Sequence, residues 1–180
     1  EEPIWNEFWG NSEKLAYESE RLFAERAGKT IEEFTAIDTR AIPEGKEREV
    51  IVRQRVNQNF FREAVLTAYL DQCCITGISN TTLLEACHIS GWADDANNRT
   101  NPKNGLCMNP LFHRAYDKFL IAITPDCKIV ISDQMLNATK DNSFLSYLLG
   151  LQGRNIIMPE KFSPDKNLLA KHYEQYRHSI

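Results

Sequence analysis

The fold turns on two short runs and the loop between them: Leu83-Leu84-Glu85-Ala86-Cys87-His88-Ile89, and Gly105-Leu106-Cys107-Met108-Asn109-Pro110-Leu111-Phe112-His113-Arg114-Ala115-Tyr116-Asp117-Lys118. The first run is apolar apart from Glu85 and His88, and reads as a strand. Residues 91–103 are rich in Asp and Asn and read as a loop. Gly105–Met108 reads as a second strand. Asn109-Pro110 has the form of an N-cap followed by proline at the first helical position, so a short helix is expected from about Pro110 to Lys118. The order is strand, long loop, strand, short helix: a ββα unit. His113 falls in the first turn of that helix. Asp117, four residues on, shares its face. An imidazole and a carboxylate at this spacing can converge on one cation. Alone, such a pair is more often a surface hydrogen bond, and a lone strand histidine is more often a hydrogen-bonded core residue than a catalyst.

Outward from this unit the chain alternates short elements. Ile75-Thr76-Gly77 reads as a strand and turn. Leu120–Ile123 and Lys128–Ile131 read as strands joined by the turn Thr124-Pro125-Asp126-Cys127. A short apolar helix is expected near Phe144–Leu149, and a terminal helix from about Asp165. His172 and His178 fall in that polar terminal helix and read as surface residues. Upstream, Val56, Phe60, Phe61, Ala64, Val65, Ala68 and Tyr69 recur at helical spacing. Residues 28–47, with Pro43 and Gly45, read as a linker or irregular loop. From about Pro3 to Ala27 a further helix is expected, with Leu15, Leu22 and Phe23 on one stripe and Gly28 as C-cap. Trp5, Phe8 and Trp9 make its start bulky and apolar, for packing on the main domain or for docking a preceding region.

The 180 residues carry 21 Lys+Arg and 25 Asp+Glu, a formal net charge of −4. That size suits one domain with an arm, and permits a core without disulfides or metals. An acidic balance argues against nonspecific nucleic-acid binding by the chain as a whole. One stretch runs the other way: over 40–62, Arg40, Lys46, Arg48, Arg53, Arg55 and Arg62 face only Glu44, Glu47 and Glu49. It reads as a solvated helix face or as a phosphate-facing patch. Five cysteines, an odd number and without a C-x-x-C pair, read as reduced cytosolic thiols and not as a zinc knuckle. No apolar run is long enough for a membrane span, and the start lacks the layout of a signal peptide. The first residue is not Met, and an absent N-terminal region is expected.

The order His88, Asn104, His113 on strand, loop, strand and helix resembles the motif of the HNH endonucleases. The surrounding text agrees: Cys74-Ile75-Thr76-Gly77, Ala86-Cys87-His88-Ile89 with Trp92, Asn101-Pro102-Lys103-Asn104-Gly105-Leu106-Cys107, and Leu111-Phe112-His113-Arg114-Ala115-Tyr116-Asp117. It looks like the bacterial restriction-type subgroup from about Val50 to Ser132. Ile157-Met158-Pro159 and Leu168 to His172 are similar to the tail of such proteins. The N-terminal helix is similar to a segment that joins the nuclease to a further domain.

The resemblance implies an α+β fold: a ββα-metal core with extra short strands, flanked by N-terminal and C-terminal helices. It implies an arm and linker over 1–47 and a nuclease domain over 48–180. Catalytic roles fall on His88 as general base, Asn104 as the residue bracing it, and His113. One divalent metal per site is implied, held by His113 and Asp117, with Mg²⁺ in first place and Mn²⁺, Ni²⁺ or Zn²⁺ as alternatives. Phosphate contacts are expected from Arg99, Lys103, Arg114 and Lys118, and from Arg53 and Arg55 in the basic stretch. The implied substrate is double-stranded DNA, cut to 5′-phosphate and 3′-hydroxyl ends in a cytoplasmic restriction or phage-defence setting. A homodimer would allow both strands to be cut, and specificity is expected in the absent N-terminal region or in a sensor partner. One departure matters. Many HNH nucleases place an acidic metal ligand just before the catalytic histidine, where this chain has Cys87. It reads as a small buried hydrophobe; as a ligand it would favour Zn²⁺. Glu85, on the same strand face, is a further oxygen donor to consider. The alternative reading is a catalytically silent nucleic-acid-binding module on the same scaffold; a third is a structural core with scattered histidines that bind no metal.

Overall fold

A computed structural model describes residues 11–38, 40, 42 and 45–179, apart from the side chain of Lys46. Residues 3–10 of the helix expected over 3–27, with Trp5, Phe8 and Trp9, and Pro43 in the linker lie outside the described residues. The chain divides into two compact units: one takes residues up to Ala64 together with Gly91–Asn101, the other Val65–Ser90 and Pro102 onward.

In the first unit, α1 (Ser12–Arg26) starts at Asn11, whose side chain accepts from the Lys14 amide at 3.0 Å. It ends where Gly28 takes φ +64, so that Lys29 N donates to Ala24 O and Gly28 N to Glu25 O. A residue with a Cβ is disfavoured there, which is why the helix stops at this glycine. The face of α1 differs from the expected stripe. Ala16 and Ala24 are buried, whereas Leu15, Leu22 and Phe23 are exposed. The segment read as a linker contains a helical turn, α2 (Ile31–Phe34), closed by a reciprocal capping box between Thr30 and Glu33. The long helix α3 (Lys46–Ala68) follows. Val52 and Val56 form a small core with Ile42, against which Tyr17, Ile31, Ile37 and Ile51 pack.

The second unit begins with the last turn of α3. It holds β1 (Glu85–His88) and β2 (Gly105–Met108), antiparallel, with Glu85 opposite Met108 and His88 opposite Gly105. The helix α4 (Pro110–Asp117) follows at once, since Asn109 caps it by accepting from the Phe112 amide at 3.0 Å. This is the expected ββα unit. The first strand is shorter than Leu83–Ile89 because Thr81–Leu83 close into a single turn capped by Asn80. Ile75-Thr76-Gly77 is a turn without a strand: Gly77, at φ +75, donates to Cys73 O.

A second hairpin, β3 (Ile121–Ile123) with β4 (Ile129–Ile131), stands where two strands were expected. Then come α5 (Asp133–Ala138), capped by Ser132 and not foreseen, α6 (Asn142–Leu151), and α7 (Lys166–Ser179). All of β2 is buried, as are Phe112, Ala115 and Tyr116 of α4, all of β3, and Leu148 and Leu151 of α6. Helix α7 packs on β3, burying Leu168, Leu169, His172 and Tyr176. His172 is therefore no surface residue: it occupies the i+4 place of an apolar stripe and is only 6% exposed. His178 is exposed, as expected.

Candidate active site

The site grows from the way β2 runs into α4. Met108, the last residue of β2, pairs with Glu85, the first of β1. The next residue caps the helix, so the start of β1 lies beside the first turns of α4. His113 is anchored there by its amide, which donates to Asn109 O at 2.9 Å. Its imidazole stands between two carboxylates: Nδ1 lies 2.6 Å from Glu85 Oε2, and Nε2 lies 3.6 Å from Asp117 Oδ2. Alternation along β1 turns Cys87 to the same face as Glu85. The Cys87 sulfur, a ring nitrogen of His113 and a carboxylate oxygen of Asp117 all lie within 4.8 Å of one another. Among the described residues this is the one group of three metal-ligating side chains that converges so closely. Burial pushes the Cys87 thiol well up, and the negative charges of Asp117 and Glu85 push it further, so without a metal it is a neutral S–H.

At the other end of the hairpin Asn104 is fully buried and works as a clamp. Its Oδ1 accepts from Ser90 N at 2.8 Å, its Nδ2 donates to Ser90 O at 3.0 Å, and its backbone carbonyl accepts from Ile89 N at 2.9 Å. The chain just past His88 is thereby fixed to the start of β2. His88 is half-buried at the end of β1 and is not a member of the converging ligand group.

The basic residues fall into two classes. Lys103, Arg114 and Lys118 are exposed in the second unit, the last two on or next to α4. In the first unit, Arg99 donates to Trp92 O at 2.7 Å, sits 5.3 Å over the Trp92 ring, and reaches Glu13 at 3.5 Å. Arg53 lies 4.8 Å over Tyr17, and Arg55 donates to Asp38 O at 2.9 Å. These three tie the first unit together, which the sequence did not reveal.

With a histidine, a carboxylate and a thiol converging beside a clamped histidine strand, the ββα geometry can be set against known families. Residues 73–124 match the HNH endonuclease model. That segment is an HNH domain, a ββα-metal fold, and it takes in β1, β2, α4, β3 and every residue of the ligand group. The family's chemistry is that of a nuclease, a hydrolase. No curated protein is significantly similar to the chain. Among the described residues no helix is long and apolar enough to cross a membrane.

The sequence reading placed His113 and Asp117 together, and they are together. It treated Cys87 as packing, and Cys87 also reaches the ligand group. Glu85 is expected as a further oxygen donor on the same strand face, and at 2.6 Å it makes a shorter contact to His113 than Asp117 does. The signal was present: Glu85 and Cys87 alternate to one face, and the hairpin register brings Glu85 to the helix cap.

Proposed function

We propose that the chain is a metal-dependent endonuclease that hydrolyses DNA phosphodiester bonds. The observation that carries this is the meeting of His113 and Asp117 on α4 within the segment that matches the HNH model. The donor set fits a divalent cation: an imidazole nitrogen and a carboxylate oxygen converge, with a thiol beside them. When bound, such an ion stabilises charge on the scissile phosphate and on the leaving 3′-oxygen. His88 takes a proton from the attacking water, a role suited to a group with a near-neutral pKa. Its place outside the ligand group supports a base, not a ligand. Asn104 braces the strand that carries it. Arg114, Lys118 and Lys103 are exposed in the same unit and are the proposed phosphate contacts. Arg53, Arg55 and Arg99 already make contacts inside the first unit.

Mg²⁺ or Mn²⁺ would be held by the His113 nitrogen and the Asp117 oxygen; a thiophilic ion such as Zn²⁺ would recruit the Cys87 sulfur as well. A place in restriction or phage defence, with specificity supplied by a further region or a sensor partner and double-strand cutting by a homodimer, is supported by the resemblance over 50–132. The second reading, a silent nucleic-acid-binding module, is favoured by Cys87 at the place where many relatives carry an acidic ligand.

Plasmid cleavage by the purified chain with Mg²⁺, Mn²⁺, Ni²⁺ or EDTA, beside His88→Ala, separates the two. Metal-dependent nicking that the variant loses by about 10²–10⁴-fold, with DNA binding kept, is the expected result. DNA binding without cleavage under any metal would establish the silent module.

A further inference from the structure

We propose that Glu85 is a positioning residue for the metal site: its carboxylate holds a proton on Nδ1 of His113 and so directs the lone pair of Nε2 toward Asp117. This rests on the metal reading above and adds the residue that sets the ligand's tautomer. A neutral imidazole has one N–H and one lone pair, and which nitrogen carries which is decided by what each faces. At 2.6 Å the Glu85 oxygen is in close hydrogen-bonding contact with Nδ1. An ionised carboxylate can only accept, so the proton belongs on Nδ1. The opposite tautomer would set a nitrogen lone pair against a carboxylate oxygen at that distance. Nε2, at 3.6 Å from Asp117, lies beyond a hydrogen bond, and its lone pair is left for a cation shared with that carboxylate.

The backbone explains why position 85 does this. The register Glu85 to Met108, followed at once by the Asn109 cap, fixes the strand start against the first turns of α4. A glutamate at that end of β1 reaches the near side of the imidazole, while Asp117, one turn along the helix, faces the far side. Carboxylate, imidazole and cation in line is the arrangement by which a protein orients a histidine ligand and raises its basicity. Glu85 is itself absent from the converging ligand group, which separates positioning from ligation.

Nitrogen-15 correlation spectra of the histidine rings, taken on the metal-free chain above the usual imidazole pKa, read the tautomer directly. The His113 signals are assigned by their loss in His113→Gln. Wild type should show a protonated Nδ1 and an unprotonated Nε2. Glu85→Ala should relax toward the tautomer mixture of a free imidazole, and Glu85→Gln, which keeps an acceptor oxygen, should retain much of the wild-type pattern. Calorimetric titration with Mn²⁺ should then show affinity about 10–100-fold weaker in Glu85→Ala, with partial rescue in Glu85→Gln and an unchanged melting temperature. A wild-type ring protonated on Nε2 overturns the proposal, as does equal Mn²⁺ affinity in wild type and Glu85→Ala. Failure of the wild-type chain to bind Mn²⁺ at all, with the Nδ1 proton in place, overturns the metal reading and the role built on it.

Discussion

Two histidines meet α4, one on the helix and one against it, and their surroundings are opposite. His113 sits on the helix itself, part-exposed, with a carboxylate at each ring nitrogen. His172 comes from α7 and lies flat on Tyr116, with ring centroids 3.7 Å apart and planes 4° from parallel, and Phe119 at 5.1 Å. One nitrogen of His172 is hydrogen-bonded to the Tyr116 backbone; its Nδ1 is buried without a partner. Burial lowers its pKa to about 4. The first ring is arranged to meet positive charge, the second to stay neutral and act as a flat hydrophobic plate. The same side chain stands between carboxylates in one place and lies among aromatic rings in the other, and the neighbours decide which.

The sharpest way to break the contrast is to remove each ring in turn. His113→Ala should lower plasmid cleavage by at least about 10²-fold, because the several kcal/mol of charge stabilisation from the metal are lost at about 1.4 kcal/mol per tenfold. His172→Phe keeps a flat ring against Tyr116 and should leave cleavage within a few-fold. Equal losses in both variants would mean that His172 has a chemical role or that His113 has none.

Next in size is the plate itself. Tyr116 is fully buried in α4, between His113 and Asp117 in sequence, and Tyr116→Ala should cost about 3–5 kcal/mol in urea unfolding. Tyr116→Phe keeps the ring and removes a buried hydroxyl that has no partner, so it should be neutral or stabilising by about 1 kcal/mol. A large loss in the Phe variant would show that the hydroxyl, not the stack, holds α4.

The contrast also marks what the sequence carried. The ββα unit was legible because its signals are local: an apolar strand, the Asn109-Pro110 cap, and a His/Asp pair one helical turn apart. Asn104 was legible only through the resemblance to the HNH motif, and its bonds to Ser90 were not. His172 was misread because its polarity outweighed its position among Leu168, Leu169 and Tyr176, whose spacing placed it on the buried stripe. The stripe of Leu15, Leu22 and Phe23 failed for the converse reason: size outweighed position, and it is Ala16 and Ala24 that are buried, while Phe23 stacks on Phe34 at the surface. The contact of Glu85 with His113 joins residues far apart in sequence, and only the hairpin register brings it into view.

Acid should reach the two histidines differently, and this sharpens the comparison last. In the unfolded chain His172 titrates near 6.5, in the fold at about 4. Above 6.5 it is neutral in both states and its packing contributes in full. As pH falls below 6.5 the unfolded chain takes up the proton first, so stability declines until about pH 4, where the folded state is protonated too and this slope ends. At about 1.4 kcal/mol per pKa unit the whole loss approaches about 3 kcal/mol. The charge would have to be held between aromatic rings, and the new Nδ1–H would have no acceptor, which is the physical cost behind the shift. Urea midpoints measured from pH 7.5 to 4 should fall in wild type and fall distinctly less in His172→Phe, whose ring cannot titrate. Parallel decline in both proteins would place the acid sensitivity elsewhere in the fold and deprive His172 of its distinction from His113.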